Sequence, residues 1–470
     1  MKNRMKRISA VLMSCTMAIS MSACGSSPES ASDSVSTEND VSSESDVVTK
    51  DSGVVENDAT AQSERDSGDK VITLWNGASQ SPDKDVIEYM VNEFNNNTES
   101  GYTVENVIIS GESYKEKLVV AMSAGECPDM YLHWSGGPMN EYIESGFAQP
   151  LDDLYEETGL IDEYMDGGLA QSTYDGKLYA VPVWNVSLSG ILYNTEIFEK
   201  YGLEIPTTVS ELESVCDILL ENGVIPFALA NAEKWTGSMF FMNLAARKGG
   251  LEPFQKAVAG TGTFEDECFV YAGEKIQEWV QKSYFPEGVN SLSENDSQSN
   301  QLMYQEKAAM KLTGSWDVGN YAADNMDFHD KIGWFPFPAV DGSDADTSIQ
   351  IGTIGDEFIS FNCTGEKLKA AFECATYLSS EGEKQLMAEA SKITPTKDAR
   401  DYVKDPIMLQ VLTAAEKASA IQLWYDQYLP PAVAQVHLAT CQEVFGMTMT
   451  PEEAAKEFQS AMEEYLADQE

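Results

Sequence analysis

The chain has 470 residues, with 77 Asp and Glu against 30 Lys and Arg, for a formal net charge of −47. A surface that acidic repels phosphate backbones and anionic headgroups, so no nucleic-acid partner is expected. Only three histidines occur, His133, His329 and His437, with no H-x-x-x-H or C-x-x-C pair, so neither a metal site nor a cofactor is expected.

From the N-terminus, Lys2, Arg4, Lys6 and Arg7 make a positive stretch, Ile8–Ile19 is a short apolar run, and Ser22 and Ala23 precede Cys24. That is the layout of a secretory signal over residues 1–23, and its apolar run falls short of the ~20 residues that span a bilayer. Met21-Ser22-Ala23-Cys24 resembles a bacterial lipobox, with Met where Leu is usual. The expectation is an exported lipoprotein, anchored through Cys24 on the outer face of the bacterial cytoplasmic membrane; two or more acyl chains hold stably where one is marginal. Residues 25–69 lack Trp, Phe, Tyr, Leu and Ile. Such a segment cannot bury enough apolar surface to offset its chain entropy, so 24–69 is expected to be a disordered, acidic, Ser-rich tether.

About 400 residues remain, more than a single core comfortably holds, which argues for two lobes. Strand and helix signals alternate along them. Val71–Trp75 reads as a strand, and Ser81-Pro82 as the cap and first turn of a helix whose Val86, Met90 and Phe94 share one face. Residues 102–110 and 129–134 read as strands, with a helix between them that Ser113 and Glu116 cap and Gly125 stops. Thr208 with Glu211 opens a later helix, and Thr450 to Glu453 the last. The alternation predicts α/β lobes with mostly parallel sheets and a ligand beyond the carboxyl ends of the strands. Cys216 and Cys374 fall on apolar helical faces and read as packed free thiols.

Five segments in order carry a resemblance: MSAGECPDMYL, GFAQPLDDL, DGKLYAVPVWNVSLSGILYNTEIFEKYGLEIPTTVSEL, MYQEKAAMKLTGSWDVGNY and TPEEAAKEFQSAMEEYL. From about Val71 to Leu466 the chain resembles the family 1 extracellular solute-binding proteins of ABC importers, the group that contains maltose-binding protein. The resemblance implies a periplasmic-binding-protein fold, two hinge-linked α/β lobes with a ligand cleft between them. It implies crossings near Ala180–Val183, Thr313–Ser315 and Lys367–Ala371. Lobe one would then be 70–182 plus 315–366, and lobe two 183–314 plus 367–470. It further implies a monomer without catalytic activity that captures a carbohydrate, an oligosaccharide above all, and delivers it to the membrane permease of an ABC transporter.

Sugars offer flat C–H faces to aromatic rings and a rim of hydroxyls to amides and carboxylates. Of the eight tryptophans, Trp279 and Trp334 sit in apolar helix and strand contexts and read as core, and Trp75 ends a strand. Trp134 and Trp235 fall in polar loops. The resemblance places Trp184 and Asn185 at the cleft, makes Trp316 a recurrent stacking residue with Asp317 beside it, and likens Trp424 and Asp426 to a binding turn. Asn76, Gln80 and Glu112 follow strands and complete the candidate set, whereas Asp129 of the Pro-Asp pair fits a structural cap. Past the signal only Arg65, Arg247 and Arg400 occur, which disfavours a phosphate or carboxylate ligand. The rivals are a glycosidase, which lacks support from any G-x-S-x-G or H-E-x-x-H motif, a binder of polyamines or peptides, and a polysaccharide-binding surface protein without a transport role.

Overall fold

The computed structural model describes residues 70–109 and 113–469. The signal, Cys24 and the tether lie outside the described residues, as does Glu112. In chain order the principal elements are Val71–Asn76 (β1), Asp83–Asn97 (α1), Thr103–Ile108 (β2), Ser113–Ser123 (α2), Met130–His133 (β3), Gly137–Glu144 (α3), Val181–Asn194 (β4) and Val209–Glu221 (α4). Ile225–Phe227 (β5), Trp235–Gly249 (α5), Glu267–Gln281 (α6), Ala308–Gly314 (β6), Trp316–Asp324 (α7), Ile332–Phe335 (β7) and Gln350–Phe361 (β8) follow. Gly365–Thr376 (α8), Glu381–Glu389 (α9), Ile421–Gln422 (β9), Tyr425–Tyr428 (α10), Pro431–Phe445 (α11) and Pro451–Gln469 (α12) close the chain. Among the described residues no helix is long and apolar enough to cross a membrane.

Local chemistry accounts for these boundaries. Val86, Met90 and Phe94 are fully buried along one face of α1. The helix begins later than its Ser-Pro signal: Ser81 donates its hydroxyl to Asp85 Oδ1 at 2.8 Å, and Pro82 is the capping residue. Thr208 and Glu211 form a reciprocal capping box on α4, and Gly223, at φ 74°, lets the chain turn away after it. Thr450 and Glu453 do the same for α12, at 3.2 and 3.0 Å. The six described cysteines are free thiols, five of them buried.

Nine strands form one continuous sheet among the described residues, in the path β2-β1-β3-β8-β4-β6-β5, with β9 paired to β8 and β7 to β4. The outer strands pair in parallel, β1 with β2 and β3, and β5 with β6. The expectation of mostly parallel sheets fails in the middle, where β8 is antiparallel to β3 and β4, and β4 to β6 and β7. The cause is that β4 and β8 are long strands that traverse the molecule in opposite directions, one out and one back.

These two strands join two lobes. On β4, Val181, Val183 and Trp184 pack with β1 and α1, whereas Ile191 packs with α4 and α5. On β8, Ile359 and Phe361 belong to the first core and Ile351 to the second. A third crossing lies between Met387, in the first core, and Ile393, packed with the far half of β4. Packing passes from one core to another at about 184–186, 354–357 and 387–393, whereas the expected second and third crossings lie near Thr313–Ser315 and Lys367–Ala371. Leu312, Val318 and Phe335 pack with β4 beyond the bend, so residues 316–340 lie with lobe two. Ala370, Ala371 and Phe372 pack with lobe one. Gly314 ends a strand, but α7 folds back on the same core rather than crossing. At the true bend the β4–β8 register breaks between Ile354 and Glu357, and Asn185 and Gly355 take φ of 112° and 98°.

Candidate ligand cleft

The bend and the strand ends beside it enclose a cavity of about 270 Å³ between the lobes. Its lobe-two wall is aromatic. β6 ends at Gly314, and Ser315 is pinned to β4 by its amide on Leu188 O and by its hydroxyl accepting from Leu188 N. α7 then starts with Trp316, whose indole lies back over Gly314; a Cβ there would sit 2.1 Å from Trp316 Cζ3, so only glycine fits. Trp235 opens α5, 5.9 Å from Trp316 at an interplanar angle of 64°. Trp424, just before α10, lies 5.5 Å away on the other side at 67°. Edge-to-face rings at such distances hold one another in place. Trp134 and Trp184 line the same cavity from lobe one, with Lys115 Nζ 4.3 Å over the first ring and Lys392 Nζ 5.5 Å over the second.

The floor is charged. Asp83, at the start of α1, forms an ion pair with the buried Lys392, which sits at the third crossing. Asp356 and Glu357 lie at the β8 bulge, and Ser187 donates to Asp356 Oδ2 at 2.9 Å. Burial pushes the Asp356 carboxyl up to about 7, against the pull of Lys392. Burial, reinforced by Asp83 and Asp356, pushes Glu357 up to about 8. Asp426, Gln427, Asn295 and Asn320 complete the polar lining. A larger space of about 690 Å³ adjoins it and shares Trp134, Trp235 and Asp426.

Of the sequence candidates, Trp134, Trp184, Trp235, Trp316, Trp424 and Asp426 come together here. Four others do not. Asp317 is buried behind the wall, 2.7 Å from Lys311 Nζ, because the second residue of α7 points into the lobe. Asn185 is buried at the bend and accepts from Ile393 N at 2.9 Å, so it ties two crossings together. Asn76 is taken up beside β2 and by its own loop, donating to Asn106 Oδ1 and accepting from Ala78 N. Gln80 is exposed away from the cavity. Asp129 has its capping role, accepting from Thr73 N at 2.9 Å and pairing with Lys367. Sequence reasoning missed Asp83, Asp356, Glu357 and Lys392, which reach the site only because three crossings converge. Of these, Asp356 and Glu357 lie in "IGDEF", two acids inside an otherwise apolar strand.

None of the histidines lines the cavity: His133, His329 and His437 contact Ser360, Asp405 and Ser238 respectively. Among the described residues no group of three or more His, Cys, Asp or Glu could hold a metal. Arg247 spends its guanidinium on the carbonyls of Phe337 and Ile349. Across the cleft mouth the lobes touch backbone to backbone. A Cβ on Gly136 would lie 2.1 Å from Gln427 O, and one on Gly137 2.3 Å from Leu429 O.

Two α/β lobes on crossing strands, with an aromatic and acidic cleft between them, define a hinge-linked binding protein. The chain belongs to the bacterial extracellular solute-binding protein family, whose model matches residues 77–385. An uncharacterized ABC transporter extracellular-binding protein of Pyrococcus horikoshii is 29% identical over 49% of this chain, which spans 51% of that relative, about half its length. The melibiose/raffinose/stachyose-binding protein of Bacillus subtilis is 22% identical, with 84% of this chain and 90% of that protein covered. A structure from work on xylan utilization by the thermophilic bacterium Caldanaerobius polysaccharolyticus is 26% identical, with a TM-score of 0.76, covering 83% of this chain and 99% of that one.

Proposed function

We propose that this protein is an exported receptor that captures a carbohydrate, an oligosaccharide above all, and delivers it to the permease of an ABC transporter. The observation that carries the reading is the wall of Trp235, Trp316 and Trp424 facing a polar rim of Asn295, Asn320, Asp426 and Gln427 with no arginine in the cavity. Rings cover the C–H faces of a sugar and the rim accepts its hydroxyls. The melibiose, raffinose and stachyose for which the Bacillus relative is named belong to the same class. In this reading lobe one comprises about 70–184 and 357–389, lobe two about 186–354 and 393–466, and they close on the ligand as a monomer. The lipid on Cys24 and the tether keep the receptor beside its permease, and no catalytic step is assigned.

A second reading, a cationic solute such as a polyamine, draws on the acids of the floor. A thermal-shift screen separates the two, since a ligand at 100-fold its Kd adds about 2.7 kcal/mol of stability. Oligosaccharides should raise Tm without yielding shorter products. A response to spermidine alone would overturn the carbohydrate assignment. Mass spectrometry of the mature N-terminus tests the anchor, which an unmodified Cys24 thiol would remove.

A further inference from the structure

We propose that Lys311 is the centre of a buried ionic frame that positions the lobe-two wall of the cleft, and that Asp317, Glu294 and Glu233 act as positioning residues through it. The proposal rests on the ligand-cleft reading above but does not depend on which solute is bound. Lys311 lies on β6 with only 2% of its surface exposed. Its ammonium is 2.6 Å from Glu294 Oε1, 2.7 Å from Asp317 Oδ2 and 2.7 Å from Asn300 Oδ1. None of these four residues lines the cavity, yet each carboxylate is one step from residues that do.

Asp317 follows Trp316, and its Oδ1 accepts from Asn320 Nδ2 at 3.0 Å, so one carboxylate fixes the first turn of α7 and a rim amide together. Glu294 precedes Asn295. Its other oxygen accepts from Ser299 Oγ at 2.5 Å, and its backbone N–H donates to Glu233 Oε2 at 2.8 Å. Glu233 also accepts from Ser293 Oγ at 2.7 Å and stands two residues before Trp235. The frame therefore ties three segments, 233–235, 293–300 and 316–320, into one unit behind the wall. Sequence separation hides this, because the polar links between the segments run through the Lys311 ammonium and the Glu233 carboxylate.

The energetics separate positioning from stability. Burying charges costs several kcal/mol each, and a buried ion pair exchanged for neutral side chains of similar volume is often neutral or stabilising. What such a cluster supplies is direction: the ammonium fixes two carboxylates and an amide at once, where an apolar core would let the loops slide. A wall held before the ligand arrives avoids the ordering cost of binding.

The test is the triple variant Lys311→Met, Glu294→Gln, Asp317→Asn, which leaves no lone buried charge. Acrylamide quenching of ligand-free protein, with and without Trp316→Phe, isolates the Trp316 signal. Quenching of that ring should roughly double as it gains a second rotamer, while the melting cooperativity is retained. Affinity for whichever of raffinose, stachyose or xylotriose binds the parent should fall roughly tenfold, the equivalent of reordering one or two side chains. Unchanged quenching in a folded variant overturns the proposal. If the triple variant does not fold, Asp317→Asn alone is read by the same criterion. If quenching rises but no saccharide binds the parent, the frame stands and the carbohydrate assignment falls.

Discussion

The two sides of the cleft are built on opposite electrostatic terms. Behind the aromatic wall, Glu294 and Asp317 converge on the single ammonium of Lys311, and the rings in front carry no charge. On the floor, Asp83, Asp356 and Glu357 share one cavity end with Lys392 and Lys115, and burial pushes the two β8 carboxyls up to about 7 and about 8. The wall belongs to one lobe. The floor sits where three crossings meet, at residues with positive φ and a broken register. The aromatic wall thus lies on the side that does not bend, and the carboxyls whose protons burial retains lie on the side that does.

The largest expected effect is on the wall. Trp316→Ala should cost about 2 kcal/mol or more of binding, roughly 30-fold in Kd by titration, as loss of a central aromatic contact does. Its Tm should move little, because the ring is half-buried. Trp279→Ala should do the reverse: that indole is fully buried against Phe227 and Phe240 and donates to Glu213 at 2.9 Å, so about 3–5 kcal/mol of stability goes. Equal losses of affinity from both would break the distinction between wall and core.

Closure comes next. Gly137→Val, at the first residue of α3, places a side chain where Leu429 O now sits. Interiors this dense do not yield to such a group. Affinity should fall about tenfold, one step of 1.4 kcal/mol. The radius of gyration measured by small-angle scattering with saturating ligand should stay at its ligand-free value. A normal ligand-induced compaction would show that this contact is not part of the closed state.

The floor should reveal itself through pH. Asp356 and Glu357 titrate above the roughly 3.9 and 4.3 of an unfolded chain, so the folded protein holds protons that the unfolded one has released. Their contribution is complete below about pH 4 and is lost as pH rises through about 7 and about 8. Tm should therefore decline over that window, and Asp356→Asn with Glu357→Gln should flatten the decline, whereas Trp316→Ala should not. Glu383, buried in α9 and pushed up to about 9, adds a slope of the same sign. Glu383→Gln should remove its share without touching affinity. A double floor variant with the parent slope would place the charge elsewhere.

How much was legible depended on whether a signal was local. Capping boxes at Thr208 and Thr450, the buried face of α1 and the core role of Trp279 needed only neighbours within one element. Five tryptophans line the cleft because strand ends and helix starts converge there in an α/β lobe, with Trp184 on the crossing strand β4 itself. The floor was illegible, since Asp356 and Glu357 become a site only when β4, β8 and the segment after α9 bend at one place. Asp317 failed for a subtler reason. It sits one residue from Trp316, and adjacent helical positions face about 100° apart, so a neighbour of a cleft ring can point into the lobe. The crossing near Thr313–Ser315 came from the family resemblance alone, and β6 instead ends at Gly314 with α7 packed on the same side.

The smallest effect calibrates the frame behind the wall. Arg400 and Glu416 make an ion pair at 2.6 Å with both side chains about half exposed, 47% and 49%. Lys311 pairs at nearly the same distances with 3% of its side chain exposed. In water the Arg400 pair is screened and its long side chains lose rotamer entropy in forming it, so Glu416→Gln should change stability by well under about 1 kcal/mol. Removing Lys311 alone strands two carboxylates in the interior, a change of about 3–5 kcal/mol. Chemical denaturation of the two single variants compares them directly. If Glu416→Gln cost as much as Lys311→Met, distance rather than desolvation would govern ion pairs in this protein, and the contrast between a paired wall and a strained floor would lose its physical basis.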